Sequence, residues 1–351
     1  MTKSALFLIQ TPLHVNNAIE AIDVFGVTQP SFLVVTSKHN QKWAAMIQAY
    51  LPADSHCLLC ERDDFDIEGT TKSYVRHIYW LQSQSFDYVF FPDTKLYVFV
   101  DIVKILGNPN TYLMDDGAAT IVSIHVLDKF GQYFEEYQSS TTSRRYEIEN
   151  IKRKYQIWDL PQIKYNLFTA FDFTSCEKYQ VVQNPMQLMS YQHHNVDPDK
   201  VLFIGQPLIR SGYVNLETYT RYCDNISAYY GAKNVEYLPH PRENKNDVIE
   251  LSKNTGFELI ETKMSAEAFL TKQESAPASI CGFYSTALWN IAKFHSGLKV
   301  DAHRLLLNES NIAQKKRISR SNHLTELDCI DLYYDYYKNR MNVVEPLLES
   351  N

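Results

Sequence analysis

The fold is decided by the stretch "ALFLIQTPLHVNNAIEAI", residues 5–22. Its first five residues are all apolar, which predicts a buried strand, because a strand covered on both faces needs no alternation with polar residues. Val15, Ile19 and Ile22 then recur at helical spacing and predict an amphipathic helix. A buried strand that leads directly into a helix is typical of parallel α/β sheets.

The same alternation continues through most of the chain. Apolar runs and helical patterns follow one another up to "TYLMDDG", residues 111–117, and resume at "KVLFIGQPL", residues 200–208. The polar, charge-rich stretch 118–173 predicts an insertion or connecting segment. We therefore predict an α/β fold with two Rossmann-like, doubly wound domains facing across a cleft: an N-terminal acceptor-side domain, 1–185, and a C-terminal donor-binding domain, 186–351.

Composition and charge narrow the class of protein. The chain has 351 residues, of which 45% are hydrophobic, enough for two cores, and its net charge of -7 argues against bulk attraction to nucleic acid. The six scattered cysteines are typical of reduced thiols. No run approaches the roughly 18–20 apolar residues of a membrane span, and the N-terminal apolar run is short for a signal peptide. We therefore expect a cytoplasmic protein.

Two local basic runs stand out against this acidic background. The first comprises residues 144–145 and 152–154, and the second lies within residues 315–320. Such runs are either solvated surfaces or contacts with an anionic membrane surface or a phosphorylated glycan acceptor. Peripheral attachment to the inner face of the cytoplasmic membrane therefore stays open.

Ligands of doubly wound sheets bind beyond the carboxyl ends of the strands, so the residues that follow each strand are the candidates for chemistry. Asp115 and Asp116 follow "TYLM" at such an end. A carboxylate placed there can accept a proton from a sugar hydroxyl as that hydroxyl attacks. The alternative is structural, with Asp116 capping the next helix and Asp115 in solvent.

Two further strand ends are suited to holding a phosphate. In "YLPHPRE", residues 237–243, two prolines stiffen the backbone around His240, which could hydrogen-bond or protonate a leaving phosphate. In "GFYSTALWN", residues 282–290, Ser285 and Thr286 open a helix, where hydroxyls and free amides form an anion site. The structural alternatives are a loop histidine and a plain helix cap.

Other phosphate motifs are missing from the sequence. There is no G-x-G-x-x-G and no P-loop. Two D-x-D strings, residues 64–66 and 197–199, resemble the metal-holding strings of some sugar transferases. Both fall in stretches that we expect to be polar loops, and the second contains a proline, so a metal role is not favoured.

Taken together, "LIQTPLH", "DDG", "FIGQPL", "LPHPRE" and "FYSTAL" resemble the bacterial sialyltransferases, most of all glycosyltransferase family 52. The D/E-D/E-G, H-P and S-S/T trio is shared with bacterial polysialyltransferases and a marine sialyltransferase family. The resemblance implies a GT-B fold, CMP-sialic acid as donor and a galactose-terminated surface glycan as acceptor. It also implies inversion at the anomeric carbon, no metal and no cofactor.

The resemblance also implies roles for individual residues. Asp116 would be the general base, His240 would contact or protonate the departing CMP, and Ser285 and Thr286 would hold its phosphate. Thr286 stands where many relatives have a second serine. Further donor-binding residues would be Gly205, Gln206, Pro241, Glu267 and Gly282, and acceptor-binding residues would be Asp115, Gln10 and Thr11.

Several alternatives remain beside single sialyl transfer. The same fold could serve CMP-Kdo transfer or polysialic acid extension, although a polymerase needs a long basic groove and this chain has only patches. Outside this reaction class are a CDP-polyol phosphotransferase and a nucleotide-sugar-binding module without catalysis. Family 52 relatives form dimers through an N-domain segment, which makes residues 118–173 the candidate dimer segment here.

Overall fold

The computed structural model describes residues 2–38, 47–48, 50–52, 55–63, 65–134, 142–231, 234–262, 264–307 and 324–346, without the side chains of residues 142–145. The chain divides into two compact units, Met1–Leu188 and Met189–Asn351. The boundary between them lies three residues beyond the one predicted from the sequence.

The N-terminal unit is built on a seven-stranded parallel sheet of order β3-β2-β1-β4-β5-β6-β7. The order reverses between β1 and β4, which is the arrangement of a doubly wound sheet. Its strands are β1 (Ser4–Ile9), β2 (Gln29–Ser37), β3 (His56–Arg62), β4 (Tyr88–Phe91), β5 (Thr111–Met114), β6 (Asn166–Thr169) and β7 (Val181–Gln183), and its helices are α1 (Pro12–Phe25), α2 (Ile67–Ser83), α3 (Tyr97–Leu106), α4 (Ala119–Phe130) and α5 (Thr142–Lys154).

The opening stretch of the sequence forms the centre of this unit, as predicted. Strand β1 is buried and pairs with β2 on one side and β4 on the other. The ring of Phe7 stacks between Phe32, with centroids 5.3 Å apart, and Phe90, at 4.8 Å. Helix α1 follows after Thr11, with Pro12 in its first turn, where proline is tolerated because that amide needs no helical partner.

The prediction that residues 118–173 form an insertion or connecting segment is wrong for much of this stretch. Helix α4 buries seven of its residues, and β6 pairs with β5 inside the sheet. Helix α5 is attached by a 2.7 Å ion pair between Lys152 and the buried Asp101. Helix α5 was missed because it is polar, and β6 was missed because its short apolar run lies inside an otherwise charge-rich stretch. The predicted role of the segment in a dimer remains a prediction.

The C-terminal unit contains a six-stranded parallel sheet of order β11-β10-β9-β12-β14-β15 and a two-stranded sheet of β13 and β8. The helix Lys245–Thr255 was not predicted, because only Val248 and Leu251 are buried in it. The strands are β8 (Tyr191–Gln192), β9 (Val196–Ile204), β10 (Asn234–Leu238), β11 (Glu258–Leu259), β12 (Ala276–Gly282), β13 (His295–Ser296), β14 (Lys299–His303) and β15 (Asn342–Val344), and the helices are α6 (Leu216–Tyr230), α7 (Lys245–Thr255), α8 (Ala266–Leu270), α9 (Thr286–Phe294) and α10 (Glu326–Tyr337).

Some side chains of the basic run around α5 make contacts within the protein. Besides the ion pair of Lys152, the guanidinium of Arg153 lies 4.4 Å from the ring centroid of Trp158, and Lys154 bonds Glu68 at 2.7 Å. The side chains of residues 144–145 and the second run, 315–320, lie outside the described residues. Among the helices that the structure describes, none is both long and apolar enough to cross a membrane.

Candidate active site

His14 and Asp116 lie in hydrogen-bond contact at the carboxyl edge of the N-terminal sheet. Asp116 follows β5, and its backbone N–H donates to Thr120 Oγ1 at 3.0 Å. Its Oδ1 lies 3.0 Å from Nε2 of His14, which is in the first turn of α1. The His14 side chain is only 1% exposed, whereas that of Asp116 is 37% exposed. The carboxylate of Asp116 therefore contacts a buried ring and is also accessible from solvent.

Asp115, which was predicted to bind the acceptor, is hydrogen-bonded inside the N-terminal unit. It is only 4% exposed, and its Oδ1 accepts the Thr169 hydroxyl while its Oδ2 accepts the Ala170 backbone N–H, each at 2.6 Å. Its own carbonyl accepts a hydrogen bond from the Asn17 side chain at 2.9 Å. Both carboxylate oxygens are thus bonded at the end of β6, and contact of Asp115 with an acceptor remains a prediction. Of the two adjacent carboxylates, that of Asp115 is buried and that of Asp116 is partly exposed.

Gln10 and Thr11, both predicted to bind the acceptor, hold His14 in place. The Gln10 backbone N–H donates to Nδ1 of His14 at 3.1 Å, and Thr11 Oγ1 accepts the His14 backbone N–H at 3.4 Å. Both residues are half-buried, and their contact with an acceptor remains a prediction. Sequence reasoning did not single out His14. The available signal was a histidine in the first helical turn after a central strand.

In the C-terminal unit, His240 follows β10 and is half-buried. Its Nδ1 accepts the Arg242 backbone N–H at 3.1 Å. Burial, with a smaller effect of the nearby Arg242 charge, lowers the pKa of His240 to about 4. Near neutral pH the ring is therefore uncharged and carries its proton on Nε2, so in the ligand-free protein His240 is a hydrogen-bond donor and not a ready acid. A phosphate beside it would favour the charged form.

Glu243 lies behind the His-Pro loop and was not identified from the sequence. Its Oε2 accepts the backbone N–H of His240, and its Oε1 accepts the hydroxyl of Tyr237, each at 2.6 Å. Burial raises the pKa of Glu243 to about 7, although these hydrogen bonds act in the opposite direction. The glutamate at the end of "LPHPRE" therefore changes its charge near neutral pH.

Three of the predicted donor-binding residues, Gly205, Gln206 and Gly282, make close contacts inside the protein. A Cβ at Gly205 would collide with Glu243 Oε2 and the Tyr237 ring, so only glycine leaves room for this carboxyl. A Cβ at Gly282 would lie 2.9 Å from the carbonyl oxygen of Ile204 on the neighbouring strand. These two glycines serve close packing, and their contact with a donor stays a prediction.

Gln206, the third of these residues, connects the loops at the carboxyl edge. Its Oε1 accepts the backbone N–H of Tyr284 at 2.8 Å, and its own N–H donates to the Tyr219 hydroxyl at 3.2 Å. The Tyr219 hydroxyl also lies 3.4 Å from Oε1 of Glu243. A hydrogen-bonded network therefore joins the His-Pro loop to the turn that precedes Ser285.

Ser285 caps the N-terminus of α9, because its Oγ accepts the Ala287 backbone N–H at 3.3 Å. Thr286 is the first residue of this helix, and both side chains are half-buried. The Tyr337 hydroxyl, on α10, donates to the Ser285 carbonyl at 3.1 Å and so fixes the turn. The structural alternative, a helix cap, is therefore correct for Ser285. The positive end of the helix dipole lies next to the hydroxyl groups of Ser285 and Thr286.

The remaining predicted residues differ in exposure. Glu267, on α8, is buried and accepts a 2.9 Å hydrogen bond from Asn290 of α9, whereas Pro241 is exposed beside His240.

Of the D-x-D strings, Asp66 caps α2, and residues 197–199 lie at the start of β9 and not in a loop. Asp64 lies outside the described residues. Within the described chain, no group of three or more His, Cys, Asp or Glu side chains could hold a metal ion.

Comparison with known proteins supports the fold and the family. TcCGT1 in complex with UDP and Phytolacca americana UGT2 are each 10% identical to this chain, with a TM-score of 0.53 over 99% of this chain and 86% of theirs. MurG of Acinetobacter baumannii is also 10% identical, with a TM-score of 0.49 over 98% of this chain and 86% of its own. The two neighbours with TM-scores above 0.5 support the GT-B fold that we predicted.

No curated protein sequence matches the chain significantly. The family model of the alpha-2,8-polysialyltransferases matches residues 5–302, which span every motif named above from "LIQTPLH" to "FYSTAL". It describes one of the families that share the trio of motifs with glycosyltransferase family 52. The chain belongs to the alpha-2,8-polysialyltransferase family and is therefore a glycosyltransferase of the sialyltransferase class.

Proposed function

We propose that this protein is an inverting, metal-independent sialyltransferase. It would move sialic acid from CMP-sialic acid to a terminal galactoside of a bacterial surface glycan, such as a lipooligosaccharide, an O-antigen or a capsule. The observation that carries the proposal is the partly exposed carboxylate of Asp116 at the carboxyl edge of the N-terminal sheet, with one oxygen bonded to His14. The family match supports the same conclusion.

On the acceptor side, Asp116 is the general base. Its carboxylate accepts the proton of the attacking hydroxyl while that oxygen forms a bond to the anomeric carbon of sialic acid. The bond from that carbon to the CMP phosphate oxygen breaks on the opposite face, so the configuration inverts. The backbone hydrogen bond to Thr120 and the ring of His14 support the carboxylate in this role.

On the donor side, the start of α9 binds the CMP phosphate. The two hydroxyls of Ser285 and Thr286 and the positive end of the helix dipole favour an anion there. CMP carries a single phosphate, so these groups and His240 are sufficient without a divalent ion. Neutral His240 donates its Nε2–H to the phosphate and becomes more basic as that group takes up charge.

The family match favours a second candidate, extension of a polysialic acid chain. In that reaction the acceptor ends in sialic acid instead of galactose, and the same base and donor groups serve repeatedly. The description of the family as alpha-2,8-polysialyltransferases is the observation that supports it. The number of sialic acids added to one acceptor distinguishes the two candidates.

The test is a product analysis with purified protein and CMP-sialic acid in excess EDTA. Lactose and a short oligosialic acid are offered as acceptors, and CMP release and product mass are measured. One sialic acid added to lactose supports the first candidate, and a ladder on the oligosialic acid supports the second. If the protein neither binds CMP nor releases it with either acceptor, the proposal is wrong. CMP-Kdo and CDP-polyols, offered in parallel, test the alternative donors.

A further inference from the structure

Both ring nitrogens of His14 are engaged. Nδ1 accepts the backbone N–H of Gln10 at 3.1 Å, and Nε2 lies 3.0 Å from Oδ1 of Asp116. A nitrogen that accepts an N–H bond carries no proton, so the proton of the neutral ring is on Nε2. The hydrogen bond therefore runs from the Nε2–H of His14 to the carboxylate of Asp116.

This arrangement excludes His14 as the base in its observed position. The lone pair of Nδ1 already accepts from Gln10, and Nε2 carries a hydrogen. The carboxylate of Asp116 is different, because within the described residues its only hydrogen bond is the one from His14 to Oδ1. Oδ2 is left to accept a proton, and the side chain is exposed enough for an acceptor to reach it.

We propose that His14 is the positioning residue of the acceptor side: it fixes one oxygen of Asp116 and thereby presents the other to the acceptor hydroxyl. This inference rests on the proposed function. A partly exposed aspartate has two side-chain torsions, and a base that samples several rotamers is seldom in the productive geometry. A buried donor that holds Oδ1 removes this freedom before the acceptor arrives.

The position of His14 is itself fixed by the strand, turn and helix of the opening stretch. Thr11 caps α1 and accepts the His14 backbone N–H, and the ring of Pro12 sets the first helical torsion. One turn later on the same helix, Asn17 donates to the carbonyl of Asp115 at 2.9 Å. Helix α1 thus bonds both members of the acidic pair, and the orientation of Asp116 follows from the packing of α1.

The test compares two substitutions at residue 14. His14→Phe fills the space without a donor, whereas His14→Gln restores an N–H near the position of Nε2. We expect His14→Phe to lower kcat for sialyl transfer about 10²-fold, since small misplacements of a reacting group cost that much. Donor KM and the dissociation constant for CMP should not change, and His14→Gln should recover most of the rate.

Two controls separate positioning from a general loss of structure. His125→Phe makes the same replacement at a half-buried histidine of α4 and should leave kcat unchanged. The double variant His14→Phe/Asp116→Asn should be no slower than Asp116→Asn alone, because His14 acts only through Asp116. Multiplicative losses in the double variant, or an unchanged kcat in His14→Phe, would overturn the inference. If His14→Phe does not fold, a histidine tautomer measurement on the parent protein decides the inference.

The tautomer measurement does not depend on activity. Two-bond ¹H–¹⁵N correlation spectra of histidine-labelled protein at pH 7.5 should give His14 the Nε2–H pattern, with a shift of this resonance in Asp116→Asn. A proton on Nδ1 would contradict the inference. If the parent protein makes no sialylated product, the proposed function fails, and the spectra still decide whether His14 donates to Asp116.

Discussion

The backbone N–H of His240 donates a 2.6 Å hydrogen bond to the buried carboxyl of Glu243, three residues further along the chain. The two side chains have opposite pKa shifts, because burial lowers the pKa of His240 to about 4 and raises that of Glu243 to about 7. Both shifts favour the uncharged form. The His-Pro loop, which carries the proposed phosphate contact, therefore contains two side chains, His240 and Glu243, that are both uncharged in mildly acidic solution.

A first prediction follows for the dependence of stability on pH. The pKa of His240 falls on folding from its ordinary 6.5 to about 4, so its contribution to stability is present above 6.5 and is lost as the pH falls towards 4. The pKa of Glu243 rises from 4.5 to about 7, so its contribution is present below 4.5 and is lost as the pH rises through 7. The two slopes oppose each other between pH 4.5 and 6.5.

These two slopes of stability against pH partly cancel in the parent protein. Replacing one of the two side chains should therefore expose the slope that the other contributes. In Glu243→Gln, the free energy of unfolding in urea should rise between pH 4.5 and 6.5 more steeply than in the parent. In His240→Asn, it should fall more steeply over the same range. Parallel curves for all three proteins would show that neither group changes its pKa on folding.

A second prediction concerns the proposed base. Asp116→Asn keeps the shape of the side chain and the contact with His14 but accepts a proton poorly. We expect kcat for sialyl transfer to fall about 10²–10⁴-fold, as for other general bases, with little change in CMP binding. Steady-state rates and calorimetric CMP titration measure the two quantities. Turnover close to that of the parent would remove Asp116 from the mechanism.

A third prediction concerns the phosphate site. Ser285→Ala should weaken CMP binding about tenfold, equivalent to about 1.4 kcal/mol, because it removes a hydrogen bond to a charged group. The matched control is Thr325→Ala, which removes the cap of α10 and should cost about 1 kcal/mol of stability without changing CMP affinity. Equal CMP affinity in Ser285→Ala and the parent would place the phosphate elsewhere.

A fourth prediction separates His240 from the helix start. His240 should act mainly as CMP departs, so His240→Ala should lower kcat with little effect on donor KM. A double variant with Ser285→Ala should lose less than the product of the two single losses if both contact one phosphate. Independent, multiplicative losses would show that the two residues do not share it.

A fifth prediction concerns metal dependence. Because CMP-sialic acid carries one phosphate, sialyl transfer should proceed at the same rate in excess EDTA. Complete loss of activity that Mg²⁺ or Mn²⁺ restores would contradict this prediction. It would direct attention to the strings that contain Asp66 and Asp197.

The sequence predicted the fold well where apolar runs were long and bounded. Strand β1, helix α1 and the turns after β10 and β12 were predicted because periodicity and turn residues act locally. Strand β6 was missed because its short apolar run lies inside a stretch that is otherwise polar and charge-rich. Helix α7 was missed because a largely exposed helix has a weak apolar stripe.

The limits of prediction at the site have the same physical origin. Strand-end position identified Asp116, His240 and Ser285 as candidates, since strand ends are defined by local sequence. The partners of these residues are set by long-range packing: His14 meets Asp116 across 102 residues of chain. No local pattern distinguishes the buried Asp115 from the partly exposed Asp116, because the difference arises from Thr169 and Ala170 at the end of a later strand.

The bonds from Asp115 to Thr169 and Ala170 also bear on how the protein folds. They join points 54 and 55 residues apart, so the acidic pair reaches its final geometry only after β6 has docked beside β5. Forming this edge is a non-local event that carries a loop-closure entropy. The Ala170 amide, bonded to a buried carboxylate, should exchange with solvent deuterium only when β6 detaches. Its exchange rate would report directly how often the edge that carries Asp116 comes apart.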